Sequence, residues 1–128
     1  MPLTPESISS LLPLREPTFY ILLSLAAGEK HGYAIIKDVE ELSQGRQKLS
    51  TGTLYEALAR LQEQNLIERV SRLQWIEDDP QEYQANPGRP RKVYRLTELG
   101  YRLLNAERER LQKLVQAAQQ RLDHTPAG

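Results

Sequence analysis

Residues 49–65 read LSTGTLYEALARLQEQN, and this stretch predicts the best-defined helix of the chain. Leucines recur on one face at i, i+4 and i+7, which is the spacing of an amphipathic helix that buries its apolar side. The leucines are Leu54, Leu58 and Leu61. The hydroxyl of Ser50 or of Thr51 can cap the helix by accepting a hydrogen bond from a backbone N–H of the first turn. Asn65 is the stop signal.

Two further helices are predicted upstream. Residues 19–27 are apolar on nearly all sides, which is typical of a buried helix, with Pro17 near its start and Gly28 at its end. The next helix runs from about Gly32 to Ser43, because an apolar residue recurs there every three positions. The recurring residues are Tyr33, Ile36, Val39 and Leu42, with Ile35 widening the stripe. Three short helices, the last two separated by a brief turn, indicate a helix-turn-helix.

The period changes after the third helix. Residues 66–76 are an imperfect strand, residues 77–90 are a loop that is acidic first and then rich in Pro, Gly and Asn, and residues 91–97 alternate cleanly. The two faces expected for this last strand are Tyr94 with Leu96, and Arg91 with Val93 and Arg95. Two strands joined by a long loop after a helix-turn-helix have the layout of a winged helix.

A long last helix is predicted over residues 98–122, capped by Thr97. Its apolar residues lie seven positions apart, and such a stripe on a helix that follows a complete small domain needs a partner surface. The simplest partner is the same helix of a second chain. The residues assigned to dimerisation are Leu104, Leu111, Val115, Ala118 and Leu122. The predicted fold is therefore mainly α with a small β-hairpin: a winged helix-turn-helix domain over residues 1–97, the dimerisation helix, and a flexible tail over residues 123–128.

Composition excludes several classes of protein. The 128 residues include no cysteine, which excludes disulfide scaffolds and thiolate metal sites. The longest apolar run, residues 19–27, is far too short to span a bilayer, and no signal peptide is visible. We therefore expect a cytoplasmic protein without a membrane partner. The formal net charge of +0 counts mildly against a DNA-binding protein, so the distribution of the charges matters more than their sum.

Two segments have the features of a DNA-binding surface. Helix-turn-helix proteins insert the N-terminal part of their second helix into the major groove, and here that end carries small hydroxyl residues that can donate to phosphates. An ordinary capped helix would look the same. The second segment has four cations in seven residues at the position of a wing, where Arg can bind phosphate or enter a minor groove. These cations are Arg89, Arg91, Lys92 and Arg95. Solvated charge on a hairpin is the alternative.

Other groups of residues do not indicate an enzyme. The acidic run at residues 77–82 lacks the spacing of a hard-cation loop, and a solvated loop is the better interpretation. His31, at a helix start, is expected to be structural, and His124 lies in the tail. We therefore expect no catalytic residue, metal or cofactor. Candidates for lining a pocket for a small aromatic effector are Tyr20, Tyr33, Tyr101 and Trp75, although aromatics at helical spacing are more often core.

Several segments resemble, in order and spacing, the motifs of PadR-like regulators. The segments are residues 31–36 (HGYAII), 49–58 (LSTGTLYEAL), 61–67 (LQEQNLI), 88–97 (GRPRKVYRLT) and Gly100. Asn65 stands where the family usually has Gly. Together the motifs cover residues 31–100, and the single long C-terminal helix resembles the smaller PadR subgroup.

The resemblance implies a homodimer held mainly by the C-terminal helices, and repression at a pseudo-palindromic operator. Carried over position by position, the DNA-contacting candidates are Ser50, Thr51, Thr53 and Tyr55 on the helix and Arg89, Arg91 and Lys92 on the wing. Tyr33 is expected to pack rather than to contact DNA. Residues 74–86 are longer and more acidic than expected of the family's wing. Because the only Trp is Trp75, the aromatic ligand pocket that some multidrug-binding relatives build on the last helix is not carried over.

The predicted function is therefore a sequence-specific DNA-binding regulator that acts as a repressor on double-stranded DNA. Release by a small-molecule effector that binds one dimer state better is a further hypothesis. The alternative is a winged-helix module for protein–protein interaction without specific DNA binding, which the neutral net charge and the acidic loop favour. A hydrolase or metal enzyme is a third class, without a supporting motif.

Overall fold

The structure, a computed structural model, describes residues 5–70 and 92–123. The helices are α1 (Pro5–Ser10), α2 (Glu16–Ala26), α3 (Gly32–Leu42), α4 (Thr51–Glu63) and α5 (Glu98–Leu122), and the strands are β1 (Lys30–His31), β2 (Ile67–Arg69) and β3 (Val93–Leu96). The predicted fold class, mainly helical with a winged helix-turn-helix and a long C-terminal helix, is confirmed. No helix within these two ranges has the length and apolar character that crossing a membrane requires.

The strands form an antiparallel sheet in the order β1-β3-β2. Lys30 pairs with Tyr94, and Ile67 pairs with Leu96, so β3 lies in the centre. The sequence predicted only the hairpin of β2 and β3, because a two-residue strand such as β1 is too short to show a period. Of the strand predicted over residues 66–76, the part beyond Val70 lies outside the described residues.

The core lies where α2, α3, α4 and the first half of α5 meet the sheet. The leucine face of α4 is buried as predicted. The other fully buried side chains of this core are Ile21, Leu22 and Leu25 of α2, Ile35 and Val39 of α3, Leu66 before β2, and Leu103 of α5.

The apolar stripe predicted for α3 is wrong at its ends. Tyr33 is 60% exposed and Leu42 is 44% exposed, whereas Ile35 and Val39 are fully buried. A helix turns by about 100° per residue, so Tyr33 and Leu42, which are nine positions apart, lie on opposite sides of α3. The face that packs on the core is marked by Ile35 and Val39, four residues apart, and not by the three-residue repeat. The expectation that Tyr33 packs is therefore wrong within this chain.

The face predicted for Val93 also needs correction. Tyr94 and Leu96 are buried and Arg95 is exposed, as the alternation predicts. Val93, which the alternation places with Arg95, is nevertheless buried, because it packs with Val70 in a small separate cluster. The Val70 N–H donates to the Val93 carbonyl at 2.8 Å, which extends the pairing of the hairpin by one residue.

Side chains cap three of the helices. Ser50, rather than Thr51, accepts from the Thr53 N–H at 3.1 Å at the start of α4. Thr97 accepts from the Gly100 N–H at 3.0 Å at the start of α5, as predicted. His31 caps α3 through its Nδ1, which agrees with the structural role expected for it.

A buried carboxylate joins the segment before α2 to α5. Glu107 is 2% exposed, and its Oε2 accepts from the Leu14 N–H at 2.7 Å. Its other oxygen accepts from the guanidinium of Arg110. The Arg110 hydrogen bond, with help from Leu14, lowers the pKa of Glu107 against the opposing effect of desolvation. A sequence pattern gives no sign of this contact, because its partners are 93 residues apart.

Candidate nucleic-acid interface

The N-terminal end of α4 projects from the core. Its first residues, Thr51, Gly52 and Thr53, are exposed together with the capping Ser50, while Leu54 is fully buried behind them. The Ser50 hydroxyl donates to the Thr53 hydroxyl at 2.9 Å, so these two side chains hold each other in place. The leucine face anchors the helix, and the hydroxyl end points outward with space around Gly52. This arrangement can bring backbone and hydroxyl groups close to a groove of DNA.

Tyr55 connects α4 to α3. A Cβ atom at Gly32 would lie 2.5 Å from the Tyr55 Oη, so the absence of a side chain at position 32 makes room for the phenol. The glycine of the HGY motif and the tyrosine of the TLY motif are therefore two sides of one contact. The sequence motifs are consistent with this contact, but no pattern within either motif predicts it.

The base of the wing meets the same tyrosine. Lys92, the first described residue after the gap, is exposed, and its Nζ lies 5.9 Å from the centre of the Tyr55 ring. Burial is the main cause that raises the pKa of Tyr94, and the nearby Tyr55 raises this pKa further. Arg95 pairs with Glu68 at 2.7 Å across the hairpin. Arg89 and Arg91 lie outside the described residues. Among the predicted wing cations that the structure describes, Lys92 is the one that lies close to α4.

The stripe predicted for dimerisation divides into two parts. Leu104 is only 8% exposed and packs in the core of its own chain, because the first half of α5 lies on α2 and β3. Leu111 is half-buried. Farther along, Val115 is 54% exposed, Leu122 is 71% exposed and Ala118 is exposed too. The exposed part also includes Leu114, which a strict seven-residue repeat misses.

A hollow of 240 Å³ lies between α2 and the first half of α5. Its lining includes Phe19 and Leu23 from α2 and Tyr101 and Arg108 from α5. Of the predicted aromatic pocket residues, only Tyr101 lines this hollow; Tyr20 and Tyr33 do not, and Trp75 lies outside the described residues. Over residues 5–70 and 92–123, no three potential metal ligands come together.

The sequence of the chain matches a known protein family. The sequence model of the transcriptional regulator PadR-like family matches residues 21–106 of this chain. These residues include both helices of the helix-turn-helix, the strands and the start of α5. The chain belongs to the PadR-like family.

Solved structures of PadR-family proteins resemble most of the chain. A PadR family transcription regulator from Clostridium difficile is 27% identical, with a TM-score of 0.61 over 84% of this chain and 99% of that one. One from Eggerthella lenta is 26% identical, with a TM-score of 0.56 over 91% of this chain and 92% of that one. The transcriptional regulator YqjI of Escherichia coli is 47% identical over 47 residues, which are 37% of this chain but only 23% of the length of YqjI.

Membership of the PadR-like family gives the chain its general role. Proteins of this family are DNA-binding transcription regulators rather than enzymes, and the winged helix-turn-helix of this chain is the fold that such regulators use. In helix-turn-helix proteins, the N-terminal part of the second helix is the part that enters the major groove.

Proposed function

We propose that this PadR-like chain is a sequence-specific repressor that acts in the cytoplasm as a homodimer on a pseudo-palindromic operator. The exposed hydroxyl end of α4, held outward by the buried leucine face, supports this proposal most directly. A helix fixed on one side and open at its N-terminal end can enter a major groove without rearrangement of the core. A repressor of this kind acts by occupying DNA that the transcription machinery needs.

The proposed DNA contacts follow from this placement. The helix would contact DNA through Ser50, Thr51, Thr53 and Tyr55, and the wing through Arg89, Arg91 and Lys92. Thr51 has no capping role, so its hydroxyl is available to a phosphate or a base edge. Lys92 lies over Tyr55, so a phosphate at the base of the wing would also lie near the reading helix.

The proposed homodimer uses the second half of α5. Val115, Ala118 and Leu122 lie on one face of the helix and are exposed, and Leu111 leads from them into the core. A second copy of α5 would cover this face. Two reading helices about 34 Å apart would then fit two successive turns of one DNA face, which explains why a palindromic site is expected.

A small aromatic effector is the last part of the proposal. The hollow between Phe19, Leu23 and Tyr101 is lined mainly by apolar side chains and lies beside the face proposed for dimerisation. A ligand there would change the angle between α2 and α5, and so the distance between the two reading heads, if it binds one dimer state better.

Fluorescence anisotropy tests the proposal with the DNA upstream of the protein's own gene and a scrambled duplex of equal length. We expect the upstream DNA to bind more tightly by on the order of a thousandfold, with affinity that falls steeply as salt rises. Thr51→Val should reduce the preference, whereas Arg102→Gln, on α5, should not. Equal and weak binding of both duplexes, repeated with other genomic fragments, would instead favour the interaction module.

A further inference from the structure

The turn between α3 and α4 carries two cations that belong to neither the reading helix nor the wing. Arg46 and Lys48 are both exposed. Among the described residues, neither side chain has a hydrogen bond or an ion pair, although Glu40 and Glu41 lie in the last turn of α3. Within residues 5–70 and 92–123, two unpaired cations therefore stand beside the outward end of α4, open to a group of opposite charge.

The backbone of this turn is fixed by hydrogen bonds. Ser43 is buried, and its hydroxyl accepts from the Gln47 N–H at 2.9 Å and donates to the Glu40 carbonyl at 3.2 Å. The Gly45 N–H donates to the same Glu40 carbonyl at 2.8 Å, and the Arg46 N–H donates to the Ser43 carbonyl at 3.2 Å. Arg46 therefore projects from a backbone that loses little freedom on binding, and Lys48 follows directly after this fixed turn.

Exposure alternates from the turn into α4. Arg46, Lys48 and Ser50 are exposed, whereas Gln47 and Leu49 are half-buried, and Leu49 packs against the core. The two exposed cations therefore lie two and four residues before the N-cap of α4, on the segment that leads directly into that helix.

We infer that Arg46 and Lys48 bind phosphates of the DNA backbone and so fix the position of α4 along the duplex. This inference rests on the proposed function. Since the chain as a whole carries a net charge of +0, its attraction to DNA must come from local groups of cations such as this one. Phosphate contacts position a protein on DNA without reading sequence, and we assign that role to these two residues.

The test is the salt dependence of binding to a mixed-sequence 30-bp duplex, about three helical turns, measured by anisotropy. For the double variant Arg46→Gln with Lys48→Gln, we expect the slope of log affinity against log salt to become shallower by about 1.8 per protomer. Each lost phosphate contact accounts for about 0.9 of this change. Affinity for upstream and scrambled DNA should fall by the same factor. Arg102→Gln with Lys113→Gln removes two charges from α5 and should leave the slope unchanged. Arg46→Lys with Lys48→Arg should retain it.

Three results would overturn the inference in distinguishable ways. If the slope of the double variant equals that of the wild type, while Thr51→Val still loses its preference for upstream DNA, the phosphate role is wrong and the repressor proposal stands. If the α5 control lowers the slope equally, the effect is one of net charge. If the wild type binds no duplex even at low salt, the proposed function fails together with the inference. Thermal melting should show equal stability for all variants, because the substituted side chains are exposed.

Discussion

Three glycines within the family motifs have different physical reasons to be glycine. At Gly100, a Cβ would lie 2.2 Å from the backbone carbonyl oxygen of Leu66, which cannot move without the end of α4. At Gly32 the nearest atom is the end of the Tyr55 side chain, which can swing into solvent. At Gly52 there is nothing within 4 Å. The sequence alone shows three equivalent motif positions, because the atoms that distinguish them belong to other elements.

These differences predict the stability of alanine variants. We expect Gly100→Ala to lower the free energy of unfolding by about 1–3 kcal/mol, because the start of α5 must move away from Leu66. Gly52→Ala is the matched control and should be neutral or stabilising by up to about 1 kcal/mol, since alanine is the better helix former. Urea unfolding followed by circular dichroism measures both. Equal stability of the two variants would contradict the close approach at Gly100.

At the scale of elements, long and regular patterns predicted the structure and short or irregular ones did not. The leucine face of α4 and the whole of α5 follow from their periods and caps. The sequence pattern predicts the wrong face for α3, because a three-residue repeat drifts around the helix. It gives no sign of β1, because two residues show no period. The contact of Glu107 with Leu14 was missed for a different reason: a Glu within a charged helix looks like a solvent-exposed residue until the fold buries it.

Glu107 predicts how stability depends on pH. Because its pKa is lowered in the folded chain, its contribution is complete above the ordinary glutamate pKa of about 4.3 and is lost as pH falls through the folded value. Glu107→Gln removes the charge that Arg110 pairs with, so we expect a loss of about 1–3 kcal/mol at neutral pH. The unfolding curves of variant and wild type should converge toward low pH.

The control for this pH experiment is Glu109→Gln on the same helix. Glu109 is exposed and has no partner in the described part of the chain, so its replacement should change neither the stability at neutral pH nor its decrease in acid. The free energy of urea unfolding is measured for the three proteins at several pH values between 3 and 7. This range includes pH values of about 4, at which carboxyl groups titrate. If the stability of wild type and of Glu107→Gln falls in parallel down to pH 3, the charge of Glu107 does not stabilise the link between the first segment and α5.

At the scale of the whole molecule, α5 serves two surfaces in succession. Its 25 residues make a rod of about 37 Å, of which the first half lies on α2 and the sheet. From residue 112 to residue 123 every residue is exposed. Sequence periodicity located the whole stripe but not the point where it leaves the core, because the repeat is the same whether the covering surface is the chain itself or a second chain. For this reason the repeat predicts dimerisation for Leu104, whereas the structure buries this residue in its own domain.

The exposed half of α5 therefore supplies the test of the proposed dimer. We expect Val115→Glu to dissociate the dimer, because two carboxylates would face each other across an apolar seam, while Gln120→Glu, on the opposite face of the helix, should not. Sedimentation equilibrium measures the change. Since the second half-site is bound at the high effective concentration that the dimer provides, loss of the dimer should weaken operator binding by at least about a hundredfold. The circular dichroism spectrum should stay that of a folded domain, because position 115 lies beyond the core. A Val115→Glu protein that remains dimeric would place the interface elsewhere. A surface other than the apolar face of α5 would then set the distance between the two reading helices.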